Sequence, residues 1–140
     1  MSESFLLVHA GGRAFGLQVL GLELVADAGS VAPVPAREAS LVGVATFRGE
    51  LVPVLSLARL LVPGAAQLTV APMAVVLNAD GRRICLEVDH ADQVIEGDPM
   101  AVAADRAVPW SRAVLRYEDA LIPLLDLSLL GARLAEEGSL

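Results

Sequence analysis

Two histidines, one cysteine and a run of carboxylates are the residues of this chain with the plainest chemical reach. Asp89, His90 and Asp92 lie close enough in sequence to hold a small ligand or a metal ion together. Neither His9 nor His90 has a second His or Cys at the tight spacing of a structural metal site, so a polar turn after a strand is the simpler reading. Cys85 sits in a Val/Ile/Leu-rich run and reads as a small buried hydrophobe. Cys85, Asp89 and His90 are too close in sequence to assemble as a triad, whose members come from distant segments. No Gly-x-Ser-x-Gly elbow and no phosphate loop ending in Lys-Ser/Thr is present, and Gly11-Gly12 is too short for a dinucleotide fingerprint. The chain is therefore expected to be neither an enzyme nor a cofactor carrier. The acidic series Glu87, Asp89, Asp92, Glu96 and Asp98 reads as a solvated strand face and turn, or as a docking patch for a basic partner.

Arg48, in Phe47-Arg48-Gly49-Glu50, is more specific, because the chain carries a weak copy of itself in which that arginine is missing. Gly12-Arg13-Ala14-Phe15-Gly16-Leu17-Gln18-Val19 aligns with Gly81-Arg82-Arg83-Ile84-Cys85-Leu86-Glu87-Val88. Leu51-Val52-Pro53-Val54-Leu55-Ser56-Leu57 aligns with Leu121-Ile122-Pro123-Leu124-Leu125-Asp126-Leu127. The offset, about seventy residues, is too long for a solenoid unit and implies two similar halves packed together. Within the match, Arg48-Gly49 faces Glu118-Asp119. An arginine at a hairpin tip is placed to grip a carboxylate of another protein bidentately, and Gly49 would supply the positive φ of the turn.

The elements that would position these residues are short strands. Phe5 to Ala10 and Ala14 to Leu17 flank Gly11-Gly12 as a hairpin; Met73 to Leu77 and Ile84 to Val88 repeat it. Leu41 to Phe47 with Leu51 to Leu55, and Ala113 to Tyr117 with Leu121 to Leu125, read as two further hairpins. Val19 to Val25 fits a helical turn or a strand. Pro53 and Pro123 place their strands at an edge or bulge. Ser56 and Asp126 are candidate N-caps of short helices, over Leu57 to Leu61 and Leu127 to Leu134. The expected fold is all-β: two barrels of five strands related by internal duplication, each followed by a short helix. We expect a single domain over 1–140, with halves at about 5–62 and 72–131, a connector near Val62 to Gln67, a loop-like stretch from Gly97 to Pro109 and a tail over 132–140.

Composition bounds the function. At 140 residues and 55% apolar content the chain can build a core without staples. Aromatics at 4%, a net charge of −7 and a pI near 4.7 argue against a nucleic-acid surface. One cysteine permits no internal disulfide, the N-terminus lacks a basic secretion signal, and prolines and Arg59 interrupt the longest apolar runs. A cytoplasmic protein without direct membrane insertion is expected.

The block from Leu41 to Leu57, LVGVATFRGELVPVLSL, resembles the CheW-like domain family, which carries a run of the type G-V-x-N-L-R-G-x-x-V-P-V-x-D-L. Val31-Ala32-Pro33-Val34-Pro35, Phe15 to Leu20, Arg83 to Asp89 and Ile122 to Leu127 are similar to other family segments, in family order. The resemblance implies two five-stranded SH3-like barrels in a non-enzymatic adaptor that links the cytoplasmic tip of a chemoreceptor to a CheA-type histidine kinase. It also implies a receptor groove between the barrels and a kinase contact on an apolar face of the first. Carried over by position, the protein-binding residues are Arg48 and Gly49, with Val19, Leu20 and Leu22 lining the groove and Glu23 beside them. Leu24, Thr46, Ser56 and Glu38 stand where the family has Glu, Asn, Asp and Pro.

Overall fold

The computed structural model describes residues 3–27, 41–61, 73–79, 81–101, 111–126 and 129. In chain order the strands are β1 (Glu3–Ala10), β2 (Arg13–Gln18), β3 (Leu22–Asp27), β4 (Leu41–Phe47) and β5 (Glu50–Ser56). After the short helix α1 (Leu57–Leu61) come β6 (Met73–Ala79), β7 (Arg82–Val88), β8 (His90–Gly97), β9 (Met100–Ala101), β10 (Ser111–Tyr117) and β11 (Ala120–Leu125). The all-β expectation holds. The ambiguous stretch from Val19 resolves into a turn, Leu22 N donating to Val19 O, and then β3. β8 occupies the acidic series that reads as a polar face in the sequence. The connector, most of the 97–109 loop, the tail and Glu38 lie outside the described residues.

Two closed barrels are not what the strand pairings show. The strands form two mixed sheets, one of six in the order β8-β1-β2-β11-β10-β9 and one of five in the order β3-β6-β7-β5-β4. Among the described residues neither sheet closes on itself. Nor is either sheet built from one half of the chain. The hairpin β1-β2 pairs with second-half strands β8 and β11, and β6-β7 pairs with first-half strands β3 and β5. The joint is parallel in both: Leu124 with Gly16 and Leu125 with Leu17; Val54 with Cys85 and Leu55 with Leu86. Such pairing brings together segments far apart in sequence, so strand patterning cannot forecast it.

β5 and β11 are interior strands, which corrects the edge placement expected from their prolines. The reason is local. Each parallel ladder begins one residue after the proline, at Val54 and Leu124, so Pro53 and Pro123 sit where the strand has no parallel partner yet. The bulges fall elsewhere, between Leu41 and Gly43 and between Ser111 and Ala113.

Alternation along the strands feeds three buried clusters. The largest lies between the sheets and includes Leu6, Val8, Phe15, Leu17, Leu55, Leu57, Leu77, Ile84 and Leu86. Phe5, Leu7, Ile95, Leu115, Ile122 and Leu124 fill the other face of the six-stranded sheet. Val52, Val54, Val76 and Cys85, with Phe47 and Val42 against them, fill the other face of the five-stranded one. The shared middle cluster is the largest apolar reservoir, so the sheets should unfold together. α1 begins as expected: Ser56 Oγ accepts from Arg59 N at 3.3 Å. Asp126 Oδ1 accepts from Leu129 N at 3.1 Å in the equivalent place, and Leu129 is helical; the rest of that helix lies outside the described residues.

Two side chains on the face of β7 turned away from the middle cluster make this packing testable. Cys85 is buried, and burial first, then the nearby Glu87 charge, pushes its thiol up to about 11. A thiol is a weak nucleophile until it ionises. An aromatic disulfide reagent at pH 8 should therefore label no thiol in the native protein and one in denaturant; rapid native labelling would mean that β7 opens readily. Glu87 is 9% exposed, and burial raises its carboxyl above the ordinary range, against the attraction of Arg59 and reinforced by Asp89. A raised folded value means the native state holds that proton more tightly than the unfolded chain. Stability therefore falls as pH rises from the unfolded value through the folded one. Glu87→Gln should stabilise the protein at pH 7 by about 0.5–1 kcal/mol and by nothing near pH 4. Urea unfolding at both pH values reads this, and a less stable variant at pH 7 would show that the Arg59 attraction outweighs burial.

Candidate functional site

The register of the five-stranded sheet gathers one end of five strands into a rim. β3 starts there at Leu22, β6 ends at Ala79, β7 starts at Arg82, β5 starts at Glu50 and β4 ends at Phe47. Two turns hang from this rim. Arg48 and Gly49 join β4 to β5 with φ of 51° and 80°, both in the left-handed region that a tight two-residue hairpin requires. Glycine accepts that conformation freely; Arg48, with a Cβ, pays roughly 1 kcal/mol for it. The second turn is Val19 to Gly21, tied to the sheet because Asn78 N donates to Gly21 O at 2.9 Å.

Charges lock the rim. Arg83 donates to Glu23 through Nε (2.6 Å to Oε2) and Nη2 (3.1 Å to Oε1), and through Nη1 to Glu50 Oε2 at 2.6 Å. This fork joins a second-half strand to two first-half strands. The hydrogen bonds from Arg83 are the main reason the Glu23 carboxyl lies below its ordinary range; burial opposes them and the charges of Arg83 and Arg48 add to them. Glu23 in turn raises Arg83. Both arginines lie over the Phe47 ring, Arg48 at 5.0 Å and Arg83 at 5.2 Å from its centroid. Phe47 is partly buried against the cluster on that sheet face, and the two guanidinium groups cover its ring.

Apolar side chains surround this charged knot. Leu20 at the tip of the β2–β3 turn is 88% exposed and Leu51 at the start of β5 is 74% exposed. Leu24 and Val25 are exposed on β3, an outer strand of its sheet. Val44, Leu51 and Pro53 with Arg82 and Arg83 line a shallow depression of about 470 Å³. Val19 and Leu20 with Glu3 and Gln18 line another, of about 320 Å³. A third, of about 400 Å³, shares Glu3 and Gln18 and runs on past Phe5, Leu124 and Asp126. Large side chains this exposed and this close to fixed charges suit contact with another macromolecule better than enclosure of a small substrate.

Of the residues singled out in the sequence, Arg48, Gly49 and Glu23 thus meet at one rim, and Val19 and Leu20 stand on the neighbouring turn. Leu22 does not join the exposed set: it packs against the cluster between the sheets. Arg83, Arg82 and Leu51 were not foreseen as site residues. Arg83 carries a signal of the same kind as Arg48, since its counterpart in the other copy, Ala14, has no charge. The exposure of Leu51 has no sequence signal, because its apolar type suits burial equally.

The alternative ligand site is not assembled by the described residues. Among them no group of three or more His, Cys, Asp or Glu is arranged to hold a metal ion. Asp89 Oδ2 accepts from Gly11 N at 3.1 Å, which ties the β1–β2 turn to the start of β8; the side chain of Asp92 lies outside the described set. Among the described residues no helix is long and apolar enough to cross a membrane.

Residues 4–134 match the CheW-like domain family. Among solved structures the chain is similar to the scaffolding protein TtCheW from Thermoanaerobacter tengcongensis, with a TM-score of 0.82 over 93% of this chain and 88% of that one at 18% identity. At that identity the likeness concerns the fold. No curated protein matches the chain in sequence.

Proposed function

The chain belongs to the CheW-like domain family, a family of chemotaxis adaptors and scaffolds, and on that premise we propose that it is a non-enzymatic coupling protein of a bacterial chemosensory complex. It joins a CheA-type histidine kinase to the cytoplasmic tip of a chemoreceptor, works in the cytoplasm, and binds neither nucleic acid nor the lipid bilayer. The observation that carries this reading is the rim, where Arg48 and Glu23 stand between the exposed leucines Leu20 and Leu51. Burying two such leucines is worth about 1.5–3 kcal/mol each, and an arginine at the centre supplies orientation and specificity. The Val44–Leu51–Pro53 depression suits the kinase and the Val19–Leu20 side suits the receptor, with Gly49 holding the turn open between them.

The same reading takes the two sheets as copies of one SH3-like unit that exchanged their first hairpins, within a single domain whose sequence halves run about 5–62 and 72–131. Four features support it: the shared strand order, the two parallel joints, the two bulges at matching positions and the two caps.

Retrieval of the full chain from its native cell tests the function. Recovery of a histidine kinase together with a chemoreceptor is the expected result. Recovery of neither, or turnover of a substrate by the purified chain, would end the proposal.

A further inference from the structure

Both histidines of the chain lie outside the rim, and the pairing of β1 with β8 sets them opposite each other: His9 is the register partner of His90. Their rings stand 6.1 Å apart between centroids at 40°, and both side chains are exposed. The backbone beneath them is fixed at the same point, since Asp89 N donates to His9 O at 2.9 Å while the Asp89 carboxylate accepts from Gly11 N. We propose that His9 and His90 form a two-imidazole site for a late first-row divalent metal ion, such as Zn2+ or Ni2+, that clamps β1 to β8.

The geometry is within reach of one ion. A metal–nitrogen bond of about 2.0–2.1 Å puts each ring centroid about 3.2 Å from the metal, so two imidazoles on a tetrahedral ion have centroids about 5.2 Å apart. The 6.1 Å separation needs only small side-chain rotations to close to that distance. The two imidazoles are the ligands that the described residues supply, and water can take any position that no protein group fills. Such a site is weak, prefers metals that favour imidazole, and leaves Mg2+ aside. It spans the seam where the first-half hairpin meets a second-half strand, so occupancy holds the exchanged hairpin in place. It also differs from the grouping suggested by the sequence, because its first ligand comes from eighty-one positions before His90 rather than from neighbouring carboxylates.

Thermal unfolding of the untagged protein with 1 mM Ni2+, Zn2+ or Mg2+ tests the proposal. Ni2+ and Zn2+ should raise Tm by about 3–6 °C and Mg2+ should not. His9→Ala and His90→Ala should each remove that rise while leaving the metal-free Tm near that of the parent. In the parent protein, the imidazole nitrogen signals of both histidines should shift together in a Zn2+ titration followed by NMR, a readout that needs no variant. No metal-induced rise in the parent, a rise that persists in either variant, or movement of one histidine alone would each overturn the site.

Discussion

Arg48→Gly should leave the protein at least as stable as before and weaken its hold on the proposed kinase or receptor partner at least tenfold, about 1.4 kcal/mol. The two effects have separate origins. Arg48 occupies a left-handed backbone conformation, φ 51°, that glycine adopts without steric cost, so its removal returns roughly 1 kcal/mol. Against this stands the loss of its contact with the Phe47 ring, worth about 0.5–1 kcal/mol at an exposed site. Stability should therefore stay level or rise slightly. Binding loses an exposed guanidinium at the rim that also carries the exposed Leu51. Arg48→Glu should weaken binding further, because it sets a third carboxylate beside Glu23 and Glu50, which already share Arg83. Asp119→Gly, at a left-handed position of the other tip, is the control: it should stabilise without touching binding. Unfolding curves and partner capture on the same three variants decide the matter. Unchanged capture by Arg48→Glu would remove Arg48 from the site, and a large loss of stability in Arg48→Gly would show that the side chain serves the fold.

Gly16→Cys should destabilise the protein by about 1–3 kcal/mol, and Leu124→Val should recover most of that loss. Gly16 and Leu124 face each other across the parallel joint of β2 and β11; Cys85 and Val54 do so across the joint of β7 and β5. The two pairs divide the space at their joints differently: Gly16 leaves it to Leu124, whereas Cys85 and Val54 share it. A Cβ on Gly16 would lie 2.5 Å from Leu124 Cδ2, and Leu124 is 6% exposed, with little room to withdraw. Shortening it to valine opens that space and reproduces the Cys85–Val54 arrangement. Leu124→Val alone leaves a cavity and should cost about 0.5–1.5 kcal/mol. The double-mutant cycle should then show a favourable coupling of about 1 kcal/mol or more. Additive losses would mean that the two joints are not interchangeable and would weaken the case for duplication.

Local chemistry is legible in the chain itself. Hairpins follow from apolar runs interrupted by Gly11-Gly12 and Arg48-Gly49, because a tight turn needs residues that tolerate positive φ. The caps at Ser56 and Asp126 follow from side-chain oxygens placed one step before apolar helical runs. The repeat follows from aligned residue types, and the odd arginine from its absence in the second copy. None of this depends on distant partners.

Everything that turns those pieces into a site is long-range. The pairing of β1-β2 with β8 and β11, that of β6-β7 with β3 and β5, the interior position of β5 and β11, and the strand status of His90 to Gly97 come from long-range contacts that no sequence periodicity encodes. Arg83 becomes the lock of the rim only because β7 runs parallel to β5 and two strands from β3, which brings Glu23 and Glu50 within reach of one guanidinium. Leu22 was drawn inward while Leu20 was left 88% exposed, although the two are alike in type and two residues apart. Leu20 sits at the tip of a turn and Leu22 opens the strand after it, and which of them meets the core is set by how the sheets stack. Local residue types set the units and their ends; the packing of one sheet on the other selects which of their side chains are left to face a partner.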